Sequence, residues 1–140
     1  MTHEDLWKKS KLKGEYEAYS FGDDADYLGN LVKDGIKTAT TSLYSLYELD
    51  GDELPKVGDY SIILDSKDEA LCIIKTTKVY IEKFSNVSSS YAYKEGEGDK
   101  SLYYWKKVHR AFFTEELKEY GLEFNEQMEL VLEEFEVVFK

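Results

Sequence analysis

The C-terminal stretch Met128–Phe139 constrains the fold most. Met128, Leu130 and Leu132 share one face of an extended chain, and Phe135, Val137 and Phe139 share a face in the opposite phase. Strand side chains repeat every second residue, so a one-residue slip sends every later side chain to the other face. The phase change at Glu133-Glu134 therefore predicts a bulge or a sharp bend. A sheet built on such a strand is expected to be strongly bent.

Two further strands are legible. Tyr60 to Asp65 alternates, with Tyr60, Ile62 and Leu64 on one face, and Ser66-Lys67-Asp68 reads as a hairpin turn. Ala70 to Glu82 is long and β-rich: continuous apolar at Ile73-Ile74, then alternating at Val79 and Ile81. Helical spacing places helices over Glu4 to about Leu12 and over about Asp24 to Asp34. The second is capped by Asp23 or Asp24 and stopped by Gly35. A short helix is expected over Ser42 to Glu48, and a further helical turn over Glu15–Tyr19, where Tyr16 and Tyr19 stand three apart. A strong amphipathic helix runs from a cap at Ser101 or Asp99 to about Tyr120. Its apolar stripe is Leu102, Trp105, His109, Phe112, Phe113 and Leu117. Helices and strands do not alternate as βαβ units. The expected class is α+β: a small open barrel, made of a bent and largely antiparallel sheet, with helices across its mouth.

The length of 140 residues suits one domain over 1–140, and 42% apolar content argues against disorder. No apolar run approaches the ~20 residues that span a bilayer. The acidic start Met1-Thr2-His3-Glu4-Asp5 lacks the apolar segment of a signal peptide, so a soluble, cytoplasmic protein is expected. The single cysteine, Cys72, sits in the run Leu71-Cys72-Ile73-Ile74 and reads as a small core residue. Two histidines, His3 and His109, show no metal-binding spacing, so no metal or cofactor is expected. The net charge of −11 opposes a whole-surface attraction to nucleic acid. A small ligand, or a local nucleic-acid contact, is the expectation.

Against that acidity, Gly35-Ile36-Lys37-Thr38-Ala39-Thr40-Thr41-Ser42 stands out, with one lysine and four hydroxyls in six residues. It lies at a junction between elements, where side chains can converge on a cleft. The plain alternative is a β-branched strand with surface hydroxyls. The second unusual stretch is Tyr91-Ala92-Tyr93-Lys94-Glu95-Gly96-Glu97-Gly98-Asp99. Its glycines place the acids on a loop, and Tyr91 and Tyr93 become candidate base-stacking platforms. His109 and Trp105 read first as core residues of the amphipathic helix.

These stretches together, with Val57-Gly58-Asp59, Ser20-Phe21-Gly22-Asp23 and the run Ser101-Leu102-Tyr103-Tyr104-Trp105 leading to His109, resemble the ASCH domain in its longer bacterial form. The likeness covers nearly the whole chain. It implies the PUA-like fold, a pseudo-barrel with a helix-lined cleft that binds RNA or a modified base. A small branch of that superfamily removes the acyl group from N4-acetylcytidine with a Lys, a Thr three residues later, and a Glu from a later loop. Carried over, these are Lys37, Thr40 and Glu95, with Glu97 as the alternative acid because the loop here is longer. Thr38, Thr41, Ser42, Tyr91, Tyr93 and Asp99 then become candidate ligand-binding residues. Some ASCH proteins are associated with ribonuclease activity, so the resemblance does not fix the reaction.

Amide hydrolysis needs a nucleophile, a base and a proton for the leaving nitrogen. In the reading taken from the sequence, Thr40 attacks and Lys37 is the base, provided that its pKa is depressed. Glu95 orients Lys37 or protonates the leaving group. Residues three apart in a straight strand face opposite ways, so the chain must turn between Lys37 and Thr40.

Overall fold

The spine of the molecule is a long antiparallel pair, β4 (Ala70–Lys83) with β5 (Glu129–Phe139), matched from Ile73 opposite Phe139 to Lys83 opposite Glu129. β3 (Tyr60–Leu64) adds antiparallel to β4 through the turn at 66–68, and β1 (Tyr16–Tyr19) adds parallel to β3. β2 (Ala39–Leu43) flanks β5, giving one five-stranded sheet in the order β1-β3-β4-β5-β2. The helices are α1 (His3–Ser10), α2 (Ala25–Lys33), α3 (Tyr44–Asp50), α4 (Ser89–Glu95) and α5 (Leu102–Lys118). These assignments come from a computed structural model, which describes all 140 residues. The expected α+β class and bent, mostly antiparallel, open sheet are what the chain adopts.

The β4–β5 pair is irregular at two places, where extra residues bend a sheet. Thr76 pairs with Phe135 and Lys78 with Glu134, so Thr77 is an extra residue on β4. Ile73 pairs with Phe139 and Ile74 with Val137, so Val138 is an extra residue on β5. The first irregularity lies at the level of Glu134-Phe135, one residue beyond the expected Glu133-Glu134, and the inserted residue is on the partner strand. β5 itself keeps its alternation through this region. Its phase change arises because Leu130 and Leu132 face one apolar core while Phe135 faces another. The first core joins β2 and β5 to α3, α4 and α5 through Leu43, Leu46, Tyr91, Trp105 and Phe113. The second lies under α2 around Val32, Ile63 and Ile74, and a third, around Leu6, Ile62 and Ile73, is covered by α1. Both faces of the sheet are thus buried.

Three expectations fail locally. Glu15–Tyr19 is not helical: Tyr16–Tyr19 is strand β1, since parallel pairing to β3 and the alternation of side chains between two cores outweigh the three-residue tyrosine spacing. Ser42 and Leu43 end a strand instead of opening a helix, because they pair with Val131 and Leu130. Neither Asp23 nor Asp24 caps α2 with its side chain; Asp24 takes a left-handed backbone instead.

Gly35 does end α2, in the left-handed conformation. Its N–H bonds the Val32 carbonyl and that of Ile36 bonds Leu31, a Schellman closure. The Lys37 N–H also reaches Leu31, after which the Thr38 N–H is captured by the Lys94 carbonyl at 2.7 Å. The chain therefore turns before β2 begins and is stitched to the end of α4. Gly96 completes this junction. It has φ +71°, and a Cβ there would stand 2.5 Å from the backbone oxygen of Ile36. Gly96→Ala is expected to cost about 1–2 kcal/mol for the left-handed backbone alone, and more from the clash. Urea unfolding at unchanged slope measures it.

Candidate functional site

Lys37 is the side chain that most needs explaining. It is 2% exposed, and so is its partner Glu95 at 1%. A buried charge persists only with a partner. Lys37 Nζ donates to Glu95 Oε1 at 2.8 Å and to Glu97 Oε2 at 3.0 Å, and it lies 5.5 Å from the centre of the Phe21 ring. The second Glu95 oxygen, Oε2, accepts from Thr41 Oγ1 at 2.6 Å and from Trp105 Nε1 at 2.5 Å. His109 Nε2 is 3.4 Å from the same oxygen. The local sequence explains the placement. Ser88 caps α4, which ends at Gly96 with Glu95 as its last residue, and α5 presents Trp105 and His109 one turn apart.

The protonation states follow from this geometry. His109 Nδ1 is 2.8 Å from the Trp105 carbonyl, so it must be the donor. A neutral ring would then aim its Nε2 lone pair at a carboxylate, whereas an imidazolium aims an N–H. Burial pulls the His109 pKa down, but Glu95 outweighs it and the net shift is upward. Lys37 behaves alike: burial lowers its pKa, while Glu95 and then Glu97 raise it further. Burial would raise the Glu95 pKa, yet Lys37 and His109 hold it well below the usual carboxylate range. For Glu97, burial dominates, and with the nearby Glu95 charge it outweighs Lys37, so this carboxyl is pushed up. Two carboxyls only two residues apart in sequence are thereby split, one fixed as the anion and one able to carry a proton.

This arrangement corrects the role expected of Lys37. It is buried but doubly paired, so it is an ammonium and a donor, and a poor base. Two other expectations change. Glu95 sits on a helix, not a loop, because Gly96 ends α4 instead of preventing it. Tyr91 is 2% exposed and cannot stack on a base; its hydroxyl bonds the Thr40 carbonyl at 2.7 Å and Thr41 Oγ1 at 3.1 Å.

The cluster forms one end of a cavity of about 580 Å³. β1 and β2 are the two edges of the sheet, yet both line this cavity, so the sheet curls until its edges face a common space. Lys37, Thr40, Thr41, Ser42, Glu95 and Glu97 all line it. Thr40 and Lys37 reach it together because Lys37 lies before the strand, in the turn after α2. Thr41 belongs to the other face of β2 and is bound to Glu95, and Ser42 Oγ is 2.7 Å from the Tyr47 hydroxyl. Thr38 bonds the Lys94 carbonyl, Asp99 accepts from the Ser101 N–H, and Tyr93 is 63% exposed with Lys100 over its ring; none of these three lines the cavity.

Other residues lining the cavity escaped the sequence reading: Tyr19 and Glu17 from β1, Tyr47 from α3, and Glu133 from β5. For Glu133 a signal existed, a charge set inside the apolar strand Leu130–Phe135. His109, read as a core residue, is buried as expected and also touches Glu95. Glu95, Glu97 and His109 each offer a ligand atom within 4.8 Å of one another. The Lys37 ammonium already stands between the two carboxylates, and a metal cation there would have to displace it. No helix is long and apolar enough to cross a membrane, and Cys72 is buried.

The sequence model of the ASCH domain family matches residues 17–139. The crystal structure of an ASCH domain from Lactobacillus crispatus JV V101 is 34% identical, with a TM-score of 0.93 over 98% of this chain and 94% of that one. A protein of known structure from Enterococcus faecalis V583 is 40% identical, with a TM-score of 0.84 over 97% of this chain and 85% of its own. No curated protein matches. The chain belongs to the ASCH domain family, and its fold is the PUA-like one.

Removing Lys37 leaves Glu95 buried without its main counter-charge. Lys37→Ala should cost about 3–5 kcal/mol of stability, against less than about 1 kcal/mol for a surface pair such as Lys118 with Glu115; denaturant midpoints give both. His109 supplies a pH signature. Its pKa is raised in the folded state above the ordinary 6.5, so its contribution is full below pH 6.5 and is lost as pH rises through the folded value. The stability difference between wild type and His109→Gln should therefore shrink from pH 6 to pH 9.

Proposed function

We propose that this ASCH domain binds a neutral, nucleoside-sized ligand in the cavity and hydrolyses an acyl amide on its base. The observation that carries the reading is the pair Glu95 and Glu97, bridged by buried Lys37 and shifted in opposite directions at the cavity's end. Carboxyls in a cleft whose surroundings push their pKa values apart are candidates for the acid and base roles. The volume falls within the range of small-molecule sites.

The charge of the walls favours a nucleoside over RNA. The lining holds eight carboxyl side chains and two lysines, Lys37 and Lys56, and Lys37 is already paired. Such walls repel a phosphate backbone, which needs concentrated cations. Ribonuclease chemistry meets the same obstacle.

In the proposed reaction Thr40 Oγ1 attacks the acyl carbon while ionised Glu97 takes its proton. The Lys37 ammonium stabilises the oxyanion. The C–N bond breaks, Glu97 returns the proton to the leaving nitrogen, and the free amine departs. Water, activated by Glu97, then hydrolyses the acyl-threonine and releases the carboxylic acid. Glu95 keeps Lys37 charged and in place, so it is a positioning residue.

The test is release of cytidine from N4-acetylcytidine. Thr40→Ala and Glu97→Gln should each lose at least about 100-fold in kcat/KM while remaining folded. Thr40→Ser should keep measurable turnover. If wild type is inactive but binds single-stranded RNA in a salt-sensitive gel shift, the reading is wrong and the cavity serves a binding module.

A further inference from the structure

Glu133 lies directly across from Thr40 in the β2–β5 pairing, on the cavity face of both strands. Side chains so placed have Cβ atoms roughly 5 Å apart. Anything seated against Thr40 therefore also meets Glu133. One carboxyl oxygen, Oε2, accepts from Thr76 Oγ1 at 2.7 Å; Oε1 has no protein partner. Glu133 joins no ion pair, unlike its neighbour Glu134, which is held by Lys94. The groups that face it are Glu17 and Tyr19 from β1, Tyr47 from α3 and Asp59 ahead of β3, none of them a cation. A half-buried carboxyl among acids and phenols is less costly neutral than charged. Burial accordingly raises its pKa, opposed by Thr76 and reinforced by Asp59 and Glu17.

We propose that Glu133 reads the ligand, its free Oε1 donating a hydrogen bond to an acceptor ring nitrogen next to the exocyclic nitrogen. This inference rests on the nucleoside reading and narrows it. The preferred ligand is a base with an unprotonated ring nitrogen conjugated to its exocyclic amine, as at N3 of a 4-aminopyrimidine. A bond from Oε1–H to that ring nitrogen draws electron density from the exocyclic nitrogen and makes it a better leaving group. No bond is made or broken at Glu133, and its proton stays shared between Oε1 and the ring. A base with an N–H at the ring position would oppose donor to donor unless Glu133 ionised beside Glu17 and Asp59.

The experiment is calorimetric titration of the full chain with cytidine and with 3-deazacytidine, in which a C–H replaces the acceptor nitrogen. Wild type should prefer cytidine about tenfold at a pH where Glu133 holds its proton, and the preference should fade as pH rises and Glu133 ionises. Glu133→Gln keeps a donor and should retain the preference without that pH dependence. Glu133→Ala should bind both about equally. Circular dichroism and the urea midpoint show that each variant is folded. An undiminished preference in folded Glu133→Ala would overturn the inference while leaving the nucleoside reading intact. Wild type that binds neither compound would overturn both.

Discussion

Everything at this site depends on the burial of one ammonium group. Lys37 is held by two carboxylates inside the protein, and the rest of the cluster exists to make that tolerable. Thr41 and Trp105 supply hydrogen bonds to Glu95, and stacked His109 adds a second positive charge beside it. Desolvating a charged pair costs several kcal/mol per ion, which Coulomb attraction recovers only when the remaining lone pairs are satisfied. Here no buried side-chain nitrogen or oxygen is left without a partner. A polar network this deep adds little net stability. Its effect is to fix which carboxyl is charged and which can hold a proton.

The fold serves this by bringing distant segments to one point. The Schellman closure at Gly35 turns the chain so that Lys37 enters the cavity before β2 starts. Gly96 lets the end of α4 pack against the backbone of Ile36, which sets Glu95 opposite Lys37. The extra residues at Thr77 and Val138 bend the β4–β5 spine, and the curled sheet brings its edge strands β1 and β2 to either side of the same space. The bend therefore makes the cavity, and the two glycines furnish it.

The sequence disclosed the main elements because their periodicities are strong. The stripe from Leu102 to Leu117 and the alternation over Tyr60–Asp65 need no tertiary help to be read. The phase change in the last strand pointed to a bend within one residue of where it lies, although alternation within one strand could not reveal that the extra residue sits on its partner. Lys37, Glu95 and Glu97 stood out by composition and by resemblance to the ASCH family. Their protonation states did not, since these depend on burial and on His109, which is 72 residues from Lys37 along the chain. Tyr91 was misplaced because an aromatic beside glycines reads as loop, whereas Ser88 and Gly96 delimit a helix around it. Tyr19, Tyr47 and Glu133 were invisible as a set, for only the curl of the sheet joins them.

The central claim is the split protonation of Glu95 and Glu97 around a charged Lys37. Side-chain NMR tests it most directly, following the carboxyl carbons of both glutamates and the Lys37 ammonium from pH 3 to pH 9. The account predicts that Glu97 titrates above the ordinary carboxyl range, that Glu95 stays ionised well below it, and that Lys37 remains charged throughout. A Lys37 that loses its proton near neutral pH, or a Glu97 that titrates together with Glu95 at acid pH, would contradict it.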